Sequence, residues 1–186
     1  MQVRLDKRAR IIADGGQAYP VDLLRDHTLV QVRQKYTDDT GELTLAPGEE
    51  TTDEVTVGGR VVFVRNTGKL CFASLQDGFT ETSNGERLQI MLSKAEVGDE
   101  SLAAWKSDVD LGDHVWVRGR VVVSRRGELS IMAAEWRMAS KALRPLPTLH
   151  KELSEESRVR RRYADLVVRE AVSYTHLTLP TNREVE

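Results

Sequence analysis

Residues 55–76 read VTVGGRVVFVRNTGKLCFASLQ, and apolar side chains recur at every second position along most of this stretch. A period of two is typical of β-strands that bury one face. Asn66, Thr67 and Gly68 interrupt the period with a turn signal. The stretch therefore predicts two antiparallel strands joined by a short turn.

Three further strands follow this hairpin. They are predicted over residues 86–93, 114–124 and 128–138, and a helix is predicted near residues 99–107. Five short strands with a helix between the third and the fourth match the order of the OB-fold, a small Greek-key barrel that often binds oligonucleotides. Another five-stranded barrel or a meander is the alternative. We therefore predict a mainly β protein with flanking helices, built around a five-stranded OB-fold barrel over residues 55–140.

Helical patterns precede the barrel. Apolar residues recur at helical spacing over residues 2–14, and residues 28–36 favour a second short helix. Residues 37–54 carry acids, glycine and proline without a period, which indicates a loop or a partly ordered linker. Residues 1–54 are thus interpreted as an N-terminal helical arm with an acidic linker.

A linker and a last helix follow the barrel. Residues 141–153 contain two prolines, which exclude regular helix and favour an extended linker. Ser154 is placed to cap a helix over residues 154–172, and the apolar residues of that helix form one stripe among arginines. The stripe consists of Val159, Tyr163, Leu166 and Val167. Residues 173–186 have no clear period and no predicted role in the fold.

Composition narrows the classes of function. The chain has 186 residues and a formal net charge of −2, so binding of nucleic acid would depend on local placement of basic residues. The single cysteine, Cys71, excludes an intrachain disulfide, and the four histidines lack ligand spacing, so no metal site is predicted. A secretory signal is not recognisable, and no apolar run approaches the roughly 20 residues of a membrane span. These features favour a cytoplasmic protein without membrane contact.

Alternation also assigns faces to the central strands. Phe72 and Gln89 lie opposite the more uniformly apolar faces, so both are predicted to project outward from neighbouring strands. An exposed ring beside an amide is suited to stack an unpaired base and read its edge. Alternatively, Phe72 packs beneath the N-terminal arm. Arg65 is suited to a phosphate or a base, or equally to solvent, and Glu135 by itself is an ordinary surface carboxylate.

Several segments together resemble a known family. They are RLDKRARIIADGGQAYP (4–20), VGGRVVFVRNTGKLCFASLQDG (57–78), RGELSIMAAEWRMASKALRPLP (126–147) and ESRVRRRYADLVV (156–168). From residue 2 to about residue 171, the chain resembles the N-terminal, anticodon-binding part of class II lysyl-tRNA synthetases. The string KALRPLP is the most specific piece. LHKELSEESRVR (149–160) is most similar to the actinobacterial form that is often fused to a lysylphosphatidylglycerol synthetase.

The resemblance implies a role for the barrel. In this family the barrel binds the tRNA anticodon, whose middle base is uracil. By resemblance, Phe72 would stack on that uracil and Gln89 would hydrogen-bond its edge. Arg65 and Glu135 would contact the anticodon nucleotides around it.

The resemblance also implies what the whole enzyme does. A lysine–tRNA ligase of this family is commonly a homodimer and uses ATP and magnesium to attach lysine to tRNA. The family's catalytic machinery lies downstream of Leu166. Residues 154–172 are therefore expected to be the first helix of a truncated catalytic domain, and the chain alone is expected to lack catalytic residues, cofactor and ligase activity. Residues 173–186 do not resemble the family's continuation and are expected to be foreign sequence.

Two alternatives to the interpretation as part of a lysine–tRNA ligase stay open. One is a stand-alone OB module that binds single-stranded nucleic acid. The other is a fragment of an aspartyl- or asparaginyl-tRNA synthetase, which shares the barrel but not, as a rule, the KALRPLP linker.

Overall fold

Five strands close into a barrel at the centre of the molecule. The computed structural model describes residues 1–80, 83–84, 86–146, 154–163 and 165. The strands are β1 (Glu50–Asn66), β2 (Leu70–Gln76), β3 (Phe79–Thr80), β4 (Ser83–Asn84), β5 (Arg87–Ser93), β6 (His114–Val123) and β7 (Leu129–Ser140). The helices are α1 (Gln2–Ala13), α2 (Leu29–Lys35), α3 (Lys94–Val97), α4 (Asp99–Asp108) and α5 (Glu155–Arg160).

The strand order around the barrel is β1-β2-β5-β7-β6. Neighbouring strands are antiparallel except β5 and β7, which are parallel, and the pairing of β1 with β6 closes the ring. The long strand β1 pairs with β6 along its first part and with β2 along its second part. This order, with α3 and α4 between β5 and β6, confirms the predicted OB-fold.

The barrel interior is filled by the side chains that alternation assigned to it. On β2 and β5 the inward positions are at most 1% exposed, and they are Cys71, Ala73, Leu75, Leu88, Ile90 and Leu92. Helix α4 adds Trp105, whose ring meets that of Trp136 edge-on with centroids 5.0 Å apart. Burial of apolar surface on this scale is the main source of stability for a barrel of this size.

The N-terminal helix α1 is held to the barrel by its basic side chains. Arg4 donates hydrogen bonds to the carbonyl oxygens of Ala142 at 3.0 Å and of Leu111 at 2.9 Å. The Lys7 ammonium lies 2.7 Å from a carboxylate oxygen of Asp110. These two basic residues are therefore engaged within the protein, and α1 is docked where the chain leaves the barrel.

A buried lysine fixes the point at which the chain leaves the barrel. The Lys141 side chain is fully buried, and its ammonium lies 2.6 Å from Asp110 and 2.7 Å from Asp113. The second carboxylate oxygen of Asp113 accepts a hydrogen bond from the backbone N–H of Ala142 at 2.8 Å. Burial opposes ionisation of Asp110, but the hydrogen bonds of Lys141 and Lys7 outweigh it and lower the pKa of that carboxyl.

The acidic linker is shorter than the sequence predicts. We expected a loop over residues 37–54, but β1 already begins at Glu50, and Glu50 and Glu54 pair with Val122 and Arg120 of β6. Residues 50–54 are polar because neither face of this strand end is fully buried, so no alternation marks them. The short helix α3 and the β3–β4 hairpin are likewise absent from the prediction, because each is too short to show a period.

The region after the barrel is described only in part. Helix α5 begins directly after Ser154, as predicted. Of the predicted apolar stripe, Val159 is 80% exposed and Tyr163 is 59% exposed, whereas Leu166 and Val167 lie outside the described residues. The end of the predicted linker and the tail over residues 173–186 also lie outside them. In the part of the chain that is described, no helix is long and apolar enough to cross a membrane.

His114 predicts a pH dependence of stability. Burial, with repulsion from Arg60, lowers the pKa of His114 from 6.5 to about 4. The unfolded chain therefore takes up a proton near pH 6.5, and the folded protein does so only near pH 4. We expect the free energy of unfolding to fall by about 2–3 kcal/mol as the pH drops through this window.

The measurement is urea unfolding of the wild type and of His114→Asn at about pH 7 and about pH 4.5. Asparagine does not titrate, so the variant should lose less stability than the wild type between the two pH values. An equal loss in both proteins would show that His114 does not carry the effect.

Candidate nucleic-acid interface

An open groove of roughly 690 Å³ runs across the outer face of β1, β2 and β5. The turn between β6 and β7 forms one of its walls. The strands contribute Phe63, Arg65, Leu70, Phe72, Gln89 and Met91, and the turn contributes Ser124, Arg125, Arg126 and Glu128. The groove thus combines two aromatic rings, one amide, three arginines and a carboxylate.

The register places the predicted residues in two adjacent rows across the sheet. In one row Phe63, Ser74 and Gln89 face one another on β1, β2 and β5. In the next row Arg65, Phe72 and Met91 do so. Phe72 therefore has Gln89 as a diagonal neighbour on one side and Phe63 on the other. Side chains at such positions lie within reach of one another, so they are close enough to contact one ligand.

Phe72 is partly buried and forms part of the groove surface. The Arg65 guanidinium lies over its ring, 5.8 Å from the centroid. A cation in this position is attracted by the ring face. The predicted outward placement of Phe72 is thus observed, with Arg65 rather than the N-terminal arm over the ring.

Gln89 is held in one orientation by a buried partner. Its amide nitrogen donates to the Ser130 hydroxyl at 2.8 Å, and that hydroxyl donates to the Glu128 carbonyl at 2.9 Å. Ser130 is fully buried. These two hydrogen bonds leave the Gln89 carbonyl oxygen and one amide N–H for a ligand.

The turn between β6 and β7 gives the groove a positive rim. Its backbone is held by a hydrogen bond from the Ser124 N–H to the Glu128 carbonyl at 2.8 Å. Arg125 and Arg126 are exposed at its tip, and neither forms an ion pair with another described residue. With Arg65 they make three positive charges against one carboxylate, so the local charge is positive although the chain is slightly acidic.

Glu135 lies outside this groove. Its carboxylate pairs with Arg137 at 2.7 Å and with Arg118 at 2.9 Å. The hydrogen bond from Arg137 is the main reason that the pKa of Glu135 is lowered. Glu135 is five positions after Ser130 on β7, a distance of roughly 16 Å along a strand. The carboxylate that lines the groove is Glu128 instead.

Sequence reasoning missed Glu128 and Phe63. Glu128 directly follows the Arg126-Gly127 turn, and only the pairing of β5 with β7 brings it near Gln89. Phe63 is two residues after the buried Val61, so alternation would place it inside the barrel. A bulge between Val61 and Phe63 shifts the register, and Phe63 is 54% exposed.

No three histidine, cysteine, aspartate or glutamate side chains among the described residues are arranged to hold a metal ion. The groove offers stacking, hydrogen bonding and positive charge, which are the means of holding a single-stranded nucleic acid.

The closed five-stranded barrel, with its groove on the outer face, is the architecture of an OB-fold domain. Residues 55–139 match the family model for tRNA anticodon domains, described as an OB-fold nucleic acid binding domain.

The chain as a whole is similar to lysine–tRNA ligases. It is 60% identical over 171 residues to one from Kineococcus radiotolerans, which covers 92% of the chain and 32% of the relative. It is 52% identical over 185 residues to lysine–tRNA ligase 1 of Mycobacterium tuberculosis, covering 99% of the chain and 34% of the relative. The relationship that the motifs predicted is confirmed, and the chain spans about a third of the length of these relatives.

A bifunctional protein is also related. The chain is 38% identical over 169 residues to the lysylphosphatidylglycerol biosynthesis bifunctional protein LysX of Rhodococcus jostii, covering 90% of the chain and 13% of the relative.

Because the alignment with the Mycobacterium tuberculosis enzyme extends over nearly the whole chain, it includes most of residues 173–186. The foreign origin of that tail stays a prediction.

Proposed function

We propose that this chain binds the anticodon loop of a lysine tRNA through the groove, as the N-terminal part of a lysine–tRNA ligase. The observation that carries the proposal is the juxtaposition of Phe72 and Gln89 on the outer face of an anticodon-type OB-fold. Single-stranded bases are held by stacking on an aromatic ring and are selected by hydrogen bonds to their edges.

Each groove residue has a distinct part in this function. Phe72 stacks on the middle base of the anticodon, once Arg65 moves from the ring to a phosphate or a neighbouring base. Gln89, oriented by Ser130, presents a carbonyl oxygen to the uracil N–H and an amide N–H to a uracil oxygen. Glu128 is the carboxylate placed to read an adjacent anticodon base. Glu135 has different partners, so its expected contact is not carried into the proposal.

The remaining functions belong to the whole protein. There, a class II catalytic domain beginning with residues 154–172 would use ATP and magnesium to activate lysine and transfer it to the bound tRNA. A homodimer and a cytoplasmic location fit that role. Residues 55–140 would recognise the anticodon, with residues 1–54 as the helical arm and residues 141–153 as the linker.

Phe72→Ala is the direct test of the groove. Loss of the ring removes stacking, which contributes about 1–3 kcal/mol per base, so we expect binding of a lysine-type anticodon stem-loop to weaken by roughly 5- to 150-fold. The measurement is fluorescence anisotropy at physiological salt with wild type, Phe72→Ala and the control Glu135→Gln. Glu135→Gln should bind like the wild type, because Glu135 lies outside the groove.

A second loop in which the middle uracil is replaced separates the alternatives. An anticodon domain should prefer the uracil loop, and Gln89→Ala should reduce that preference. Equal binding of all single-stranded RNAs would favour the stand-alone OB module. An equal preference for the uracil-centred loops of aspartate and asparagine tRNAs would favour a fragment of one of those synthetases. No binding by the wild type would reject the proposal.

A further inference from the structure

Phe63 is exposed in a way that the fold does not require. The side chain is 54% exposed, whereas Val61, two residues earlier, is fully buried. The bulge between them turns Phe63 out of the barrel and into the wall of the groove. Bulges next to binding sites commonly re-aim a side chain, and an aromatic ring held at the surface of a positive groove is a stacking surface for a base.

We propose that Phe63 is a second stacking platform, which holds the base of the nucleotide adjacent to the one on Phe72. The proposal rests on the RNA binding proposed above and adds a second base subsite to it. Phe63 faces Ser74 on β2, so Phe72 is its diagonal neighbour, and the Cα atoms in such a pair are about 7–8 Å apart. This separation exceeds the rise of about 3.4 Å between stacked bases, so the two platforms suit consecutive bases that are splayed apart.

The occupant is a nucleotide rather than an apolar protein segment because of the charges beside the ring. Arg65 lies two residues further along β1, and Arg125 and Arg126 line the same groove. None of these three arginines has a carboxylate partner among the described residues. An RNA backbone that crosses the groove would supply the phosphates that these guanidinium groups bind.

The register also predicts what the second subsite does not do. Gln89 stands in the same row as Phe63 but two strands away, at about 10 Å. The base on Phe63 is therefore beyond the reach of the amide that reads the base on Phe72. Stacking alone is tolerant of sequence. Phe63 thus contributes affinity for the neighbouring nucleotide without selecting its identity.

A double-mutant cycle with abasic RNA tests this subsite. We expect Phe63→Ala to weaken binding of the intact loop by roughly 5- to 150-fold and to leave the preference for the middle uracil unchanged. An abasic nucleotide on one side of the middle uracil should weaken the wild type similarly and abolish the difference between wild type and Phe63→Ala. Phe63→Trp should restore binding. Leu24→Ala, which changes an exposed apolar residue outside the groove, should bind like the wild type.

The outcomes separate this proposal from the one on which it rests. If Phe63→Ala binds within about twofold of the wild type, or if its loss persists with an abasic nucleotide on either side, the second platform is rejected. The effects of Phe72→Ala and of replacing the uracil would still support anticodon binding. If the wild type does not distinguish the uracil loop, the anticodon function fails, and the cycle at Phe63 still decides whether that ring stacks a base. If the wild type binds no loop, both proposals are rejected.

Discussion

Lys141→Met is expected to lower the free energy of unfolding by about 3–5 kcal/mol, the cost of removing one partner from a buried ion pair. The ammonium of Lys141 has no exposure and is shared by Asp110 and Asp113, and the Asp113 side chain is equally buried. Methionine fills much of the same space but leaves the buried Asp113 carboxylate without its cation. The loss should therefore come from an uncompensated charge rather than from a cavity.

Lys35→Met is the matched control for this substitution. The Lys35 ammonium lies 2.6 Å from an Asp53 carboxylate oxygen, a distance similar to those in the Lys141 ion pairs. Unlike in the Lys141 ion pairs, the side chains of Lys35 and Asp53 are both about half exposed to water. Water screens such pairs, so the control should change stability by at most about 1 kcal/mol. Urea unfolding near neutral pH measures both variants. A Lys141→Met protein as stable as the control would show that the buried pair contributes little to folding.

Gly119→Ala is expected to destabilise the barrel by about 3 kcal/mol or more, or to prevent folding. Gly119 lies in β6 between β1 and β7, opposite Val55 and Ala133. A Cβ atom added there would lie only 2.1 Å from the Met132 carbonyl oxygen and 2.9 Å from the Ala133 Cα. Both atoms belong to backbone, so relief of the clash requires a strand to move and breaks hydrogen bonds of the closed ring.

Gly58→Ala is the control for this prediction because Gly58 also lies in a barrel strand. The nearest atom to its added Cβ is the Val115 carbonyl oxygen at 3.7 Å, an ordinary contact. The effect should stay within about 1 kcal/mol, since the loss of flexibility in the unfolded chain partly offsets any strain. Thermal and urea unfolding compare the two variants. Similar stabilities would contradict the close approach of β6 and β7 at Gly119.

Local patterns in the sequence are sufficient for most of the fold. The alternation on β2 and β5 identifies the buried and outward faces, because a strand with one buried face carries its signal in every second residue. Phe72 and Gln89 could therefore be assigned to the groove before their contacts were known. The start of β1 at Glu50 could not be predicted, because a strand end with both faces partly exposed carries no apolar period.

The local period predicted only Phe72 and Gln89 of the candidate site, and Arg65 was predicted from the resemblance. The exposure of Phe63 was not predicted because a bulge reverses the face of β1 at this point. The bulge depends on pairing with β2 rather than on the residues of β1 alone. Glu135 lies on β7 and Glu128 lies in the turn before it, and sequence position alone does not decide which carboxylate lines the groove with Gln89. The parallel pairing of β5 with β7 decides it.

By itself, then, the sequence determined the five-stranded barrel, its buried faces, the relationship to lysine–tRNA ligases and three members of the groove, because periodicity and motifs are properties of neighbouring residues. Only the tertiary structure decided that Phe63 and Glu128 join the groove, that Glu135 lies elsewhere and that Lys141 is buried between two aspartates. The physical reason is that bulges, ring closure and buried ion pairs depend on residues far apart in the chain. Their effect on exposure and charge exists only once the strands have paired.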